Sequence, residues 1–351
     1  MVEKEKPLSN SALAGEFDKG SGIFHLPMRI ERYSNAKARQ IEILNHLTDY
    51  VDPALKIERI KTVHDDNDAL IRTALRIAEC GNYLVFNHYY TTGDVRLSKA
   101  SFCMKHLLCP LCAIRRAAKQ VKAYLERLEQ LQIDYPHLKP YMLTLTVKNG
   151  PDLSERFEHL VRSVKKLQQR RRNFLRGTSS SEFAKCRGGV FSFELTKSAK
   201  GWHPHVHMVV LCDPSNPISF DISHPKKSPI SKEWLLVTGD SFVVDFRAIS
   251  EDPASGFIEV FKYALKFSDL SPQENLTAYL TMKGRRLTGS FGLFWGVEVP
   301  EKMTDDLLED LPYIELFYKY TKAGYSLARS REGYPFREEP LPWSIHIPDT
   351  P

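Results

Sequence analysis

Residues 189–211 read GVFSFELTKSAKGWHPHVHMVVL. Two apolar, strand-forming runs flank the short polar break SAKG, which predicts a β-hairpin turning about Ser198–Gly201. Side chains two apart on a strand share a face, so His205 and His207 stand side by side. With Lys197 opposite Trp202, counting outward sets Glu194 across from His205 and Ser192 across from His207. Two imidazoles and a carboxylate on one face make a ligand set for a divalent cation, with coordination positions left open. Mg²⁺ or Mn²⁺ suits the set, imidazole shifting the preference toward Mn²⁺. An ion held there can polarise a phosphodiester. A lone histidine in such a strand is most simply a core residue; a pair with a carboxylate opposite reads as a metal site. His203 shares the parity but lies beside the turn and is not assigned as a ligand.

Around the hairpin, YMLTLTVK (141–148) alternates as a strand, residues 153–175 form a basic amphipathic helix, and SFVVDFRAI (241–249) is a further strand. GFIEVFKYALKF (256–267) is helical. The order β-α-β-β-β-α predicts an α+β fold, a central antiparallel sheet flanked by helices. On the last helix, Tyr263, Lys266 and Lys262 fall within about 60° of Glu259 at about 100° per residue. The remaining faces are apolar. This stripe is what an ordinary amphipathic helix carries, but beside a metal hairpin it suits chemistry. Tyr263 can attack phosphorus, Lys262 and Lys266 can stabilise the developing charge, and Glu259 can activate a water.

Upstream, four of the six cysteines crowd together: Cys80, Cys103, Cys109 and Cys112. NYLVFNHYY (82–90), the turn TTGD and VRLSKASF (95–102) predict a hairpin. Cys80 and Cys103 are nearly equidistant from its turn, so pairing brings them together, and the CPLC knuckle at 109–112 closes a tetrahedral Cys₄ site for structural Zn²⁺. His106 competes as fourth ligand, and a redox CxxC or buried free thiols are the plainer alternatives. A helix follows from Pro110 to about Leu131.

The chain of 351 residues is 42% hydrophobic with a net charge of +6, enough for a real core and mildly basic. The charge is clustered. Residues 162–176 include Lys165, Arg170, Arg171 and Arg172 with no acid, and Lys283, Arg285 and Arg286 form a second group. With Lys262, these are the candidate phosphate contacts. No apolar run approaches the roughly 20 residues of a membrane span, and the N-terminus lacks a signal core, so a soluble, cytoplasmic protein is expected. Residues 1–66 read as a polar, partly disordered region, 67–135 as a cysteine-rich zinc-ribbon-like module with its helix, 136–300 as the α+β domain and 301–351 as a tail with a helical stretch near 303–323.

The strand YMLTLTVK, then HPHVHMVV, then the helix with Tyr263, Ala264, Leu265 and Lys266 resemble the three ordered motifs of HUH endonucleases. A single tyrosine with Glu259 four residues before it is similar to the Rep initiators of small rolling-circle plasmids, and FCMKHLLCPLCAIRR (102–116) resembles that family's upstream segment. The resemblance implies nicking of one strand at a plasmid double-strand origin, a 5′-phosphotyrosine link, strand transfer and religation. It implies that Glu259 directs water to the final cleavage, and that DNA, a host helicase and the replication machinery are partners. A homodimer is the assembly allowed for. The rival readings are an HUH transposase or relaxase and a non-catalytic zinc-ribbon DNA-binding regulator.

Overall fold

The computed structural model describes residues 25–51, 66–249, 252–262, 270–308 and 310–333. Two antiparallel sheets organise them. Five strands, β3 (Lys139–Thr146), β4 (Gly188–Ser198), β5 (Gly201–Cys212), β6 (Val244–Ala248) and β7 (Thr288–Gly292), run in the order β6-β3-β5-β4-β7. The register is the one counted from sequence: Lys197 pairs with Trp202, Glu194 with His205 and Ser192 with His207. Gly201 fixes it. Its φ is +98°, and a Cβ there would sit 2.5 Å from the Gly150 carbonyl oxygen, so only glycine lets the turn close against that backbone.

Period-two patterning gives the sheet two buried faces. Leu143, Leu145, Phe193, Val206, Met208 and Val210 meet helices α4 (Leu153–Leu175) and α5 (Pro229–Thr238). Met142, Val190, Val209 and Leu211 meet α3 (Pro110–Asp134) and α6 (Pro253–Phe261). Glu194, His205 and His207 have the second parity, so they lie on the α3–α6 side. Aromatic packing holds α6 there: the Tyr124 ring stacks on Phe257 and Phe261 at centroid distances of 6.3 and 5.4 Å.

The second sheet has the order β2-β1-β8-β9, from β1 (Tyr83–Tyr89), β2 (Asp94–Ala100), β8 (Tyr313–Thr321) and β9 (Gly324–Gly333). The β1–β2 hairpin turns where the sequence places it, but it is half of a larger sheet rather than a free ribbon. The stretch expected to be helical near 303–323 supplies β8 instead. In YIELFYKYT (313–321), Leu316, Tyr318 and Tyr320 pack into the core at every second position, a strand pattern that the preceding DDLLEDL obscures. Within the region taken as polar and partly disordered, Leu26–Val51 forms α1, whose Tyr33, Ile43 and Leu47 are buried. Helix α2 (Asp66–Glu79) packs on α1, and α7 (Pro272–Met282) contributes Leu276 and Tyr279 to the same cluster as the cysteines.

Candidate metal centre and nucleic-acid interface

β4 and β5 bring Glu194, His205 and His207 together with their ligand atoms within 4.8 Å of one another. One carboxylate oxygen, Glu194 Oε2, lies 3.2 Å from His205 Nε2 and 2.7 Å from His207 Nε2. All three side chains are buried. The outer ring nitrogens are engaged: His205 Nδ1 donates to the His203 carbonyl at 3.2 Å, and His207 Nδ1 lies 3.0 Å from the Thr144 hydroxyl. A carbonyl only accepts, so the His205 proton is inferred on Nδ1 and a lone pair on Nε2. That lone pair faces a carboxylate oxygen, two acceptors pressed together, which is the arrangement a cation satisfies. Burial holds both imidazoles neutral, His207 being lowered to about 3 with His205 as the next cause. Neutral imidazole is the ligating form. The donor set therefore fits a divalent ion.

Helix α6 reaches this centre through its last turn. The Asp252 side chain caps its start by accepting from the Ala254 amide at 2.9 Å. Glu259 and Lys262, one turn apart and half-buried, form an ion pair. Both act on the imidazoles: Lys262 lowers and Glu259 raises the proton affinity of His205 and His207. The carboxylate and ammonium read from the helical stripe thus sit beside the histidines. Tyr263 and Lys266 lie outside the described residues.

The cysteines also converge. Cys80 Sγ lies 3.6 Å from Cys109 Sγ and 3.5 Å from Cys112 Sγ, and Cys103 Sγ lies 3.6 Å from Cys112 Sγ. Sulfurs at about 2.3 Å from a tetrahedral ion stand about 3.8 Å apart, so the spacing fits such a site. All four are buried free thiols. His106 is not in this group. Cys109 is also the N-cap of α3, with Pro110 next, so the knuckle and the helix start are one feature. Buried Lys37 of α1 donates to the Cys80 carbonyl, a positive charge beside four potential thiolates.

The model of a family described as replication protein matches residues 94–315, which cover the whole five-stranded sheet and carry every site residue named above except Cys80 and Lys37. The chain belongs to the replication-protein family. The resemblance to Rep initiators read from its motifs agrees with this. Its relatives are named protein rep. One from Streptococcus pneumoniae serotype 2 is 26% identical over 234 residues, 62% of this chain and 69% of the relative. Another, from a Bacillus species, is 25% identical over 290 residues, 72% and 87%. One from Bacillus amyloliquefaciens is 32% identical over 149 residues, 40% and 39%. No solved structure matches.

In this replication protein the basic run is not gathered at the metal centre. It lies on α4, across the sheet from Glu194. Lys165 and Arg172 are exposed there, whereas Arg170 binds Glu233 at 2.9 Å. Arg171 is buried, donates to the Cys186 carbonyl at 3.1 Å and covers the Phe291 ring, so its surroundings are those of a structural residue. The other group is better placed. Arg285 and Arg286 line a cleft of about 250 Å³ together with His106, Arg116, Ser192 and Phe261. Ser192 adjoins Glu194 on the same strand face, so the cleft opens beside the metal centre. Arg116 closes the segment 102–116 quoted above, but the cysteines drew the reading there and the arginine was not singled out as a phosphate contact. Thr144 was missed because its role needs a third strand: it pairs with His207 from β3. Among the described residues, no helix is long and apolar enough to cross a membrane.

Proposed function

We propose that this chain initiates rolling-circle replication of a plasmid by nicking one DNA strand and remaining joined to its 5′ end through Tyr263. The observation that carries the reading is the convergence of Glu194, His205 and His207 on one point, with Glu259 and Lys262 acting on the same imidazoles. A divalent ion, Mg²⁺ or Mn²⁺, held by those three residues would supply Lewis-acid polarisation of the scissile phosphodiester. Thr144 and the His203 carbonyl hold the imidazoles in place, and Arg116, Arg285 and Arg286 in the adjoining cleft attract the strand's phosphates.

Tyr263 follows Lys262 directly in the chain. Its oxygen forms a bond to phosphorus as the bond to the 3′ oxygen breaks, leaving a phosphotyrosine at the 5′ end and a free 3′ hydroxyl. Lys262 and Lys266 offset the negative charge that builds on the phosphate. At the end of a round, Glu259 takes a proton from a water whose oxygen bonds to phosphorus as the bond to the 3′ oxygen breaks, leaving a 5′ phosphate and a free 3′ hydroxyl and ending the cycle without a second tyrosine. Residues 136–300 thus form the nuclease, and the cysteine module in 67–135 holds Zn²⁺ through Cys80, Cys103, Cys109 and Cys112. The protein acts in the cytoplasm with a host helicase.

The test is incubation of the protein with single-stranded origin DNA and Mn²⁺, followed by a denaturing gel. A covalent adduct that requires the metal is expected. Tight binding with no adduct would instead favour a zinc-dependent DNA-binding regulator.

A further inference from the structure

One face of the four-stranded sheet packs into the cysteine core, and the other is partly covered, its Val85, Asn87, Tyr89 and Glu315 being buried. Leu84, Phe86, Leu97 and Leu316 point inward. The register assigns the alternate residues to the outer face: Tyr83 pairs with Lys319, and Val85 lies between Lys99 and Phe317. Across β9, Phe317 pairs with Arg329 and Glu315 with Arg331. Around Tyr83 and Phe317 the outer face carries aromatic and cationic groups.

Its geometry is specific. Tyr83 and Phe317 are stacked, with centroids 5.8 Å apart and ring planes 16° from parallel. The Arg329 guanidinium covers Phe317 at 5.5 Å. Tyr83, the first residue of β1, is 37% exposed. Lys99, Lys319, Arg329 and Arg331 are all exposed. Glu315 is the acid among them, and it is already held by Arg331 at 2.8 Å and approached by Lys99 at 4.0 Å. Cations outnumber acids, and Lys319 and Arg329 flank the aromatic pair, of which Tyr83 is the exposed ring.

We propose that this face binds single-stranded DNA, as a site separate from the metal centre. Exposed rings with a cationic surround match a strand whose bases are unstacked and whose phosphates are charged. A duplex hides its base faces from Tyr83, and an acidic polypeptide offers charge without a flat partner for the ring. Family membership places the chain at replicating DNA; the nicking chemistry is not needed for this inference. The site would hold a strand beyond the nick while the centre acts on it.

The test uses the full chain and a labelled oligothymidine of about 20 nucleotides, with affinity read by anisotropy across a salt series. Exchange of both Lys319 and Arg329 for Glu should weaken binding at least tenfold. Neutralising the same two positions with Gln should lower the slope of log affinity against log salt by about 1.4, at roughly 0.7 per phosphate contact. Tyr83→Ala should weaken single-strand binding about fivefold or more and leave that slope unchanged, with duplex affinity barely altered. The variants should melt as the parent does and form the covalent adduct on a saturating short oligonucleotide at the parent's rate. Parental affinity in both the charge and the Tyr83 variants would overturn the proposal. So would equal losses on duplex and single strand with Tyr83→Ala neutral, or loss of adduct formation at saturating DNA. If the parent forms no adduct at all, the nuclease reading fails while the binding result still decides this one.

Discussion

His205 and His207 aim their Nε2 atoms at the same oxygen of Glu194, and each ring is steadied from behind by a different partner. This was largely legible in the sequence, because a two-residue hairpin and a period of two leave little freedom in which residue faces which. Thr144 was not legible, since nothing local says which strand lies on the other side of β5. Arg171 shows the opposite failure: a run of charges looks solvated, yet this member is buried against carbonyls and the Phe291 ring. His205→Ala or His207→Ala should lower nicking at least 100-fold, more than the roughly 10–100-fold that losing a ligand's supporting partner costs. Binding of uncleaved DNA should stay within about threefold, because the phosphate contacts are separate. Nicking at the parental rate in Mg²⁺ by either variant would remove these residues from the catalytic centre.

At the scale of elements, the cysteine knuckle joins two structures. It closes the loop after β2 and caps α3, the helix that packs Tyr124 against α6. The β1–β2 hairpin and the knuckle could be read from spacing. β8 could not, because its pairing with β1 closes a loop of more than 200 residues and leaves no local signal; β9 then joins β8 as a hairpin. We expect about one tightly bound Zn²⁺ per chain by elemental analysis, lost in Cys80→Ser and retained in His106→Ala. Chelation should lower the melting temperature, since binding energy at such a site is also folding energy. Zinc-free protein with reduced thiols, equally stable with and without chelator, would exclude a structural metal.

Across the whole molecule, one carboxylate ties distant segments together. Asp305 meets Arg115 of α3 at 2.6 Å and Arg29 of α1 at 2.9 Å, and it accepts from the Leu97 amide at 2.7 Å. Burial alone would raise its pKa, but the two guanidinium groups hold it well below the usual carboxylate range. A depressed folded pKa contributes stability above the unfolded value near 4 that is lost as pH falls toward the folded one. Asp305→Asn should therefore cost about 3 kcal/mol at pH 7, and the gap from the parent should narrow below about pH 4. Equal denaturant midpoints at pH 7 would show that the tie contributes nothing. Nothing in the sequence near Asp305 announced it, since its partners are far away along the chain.

Attack of Tyr263 on the scissile phosphate would leave the nucleotide on that residue, which mass spectrometry of the tryptic adduct can locate. The parent protein, incubated with origin DNA and Mn²⁺, should carry the nucleotide on Tyr263. Tyr263→Phe, which keeps the ring and removes only the attacking oxygen, should give no adduct and no strand transfer. A nucleotide found on Tyr279, or an undiminished adduct in Tyr263→Phe, would exclude Tyr263 as the nucleophile.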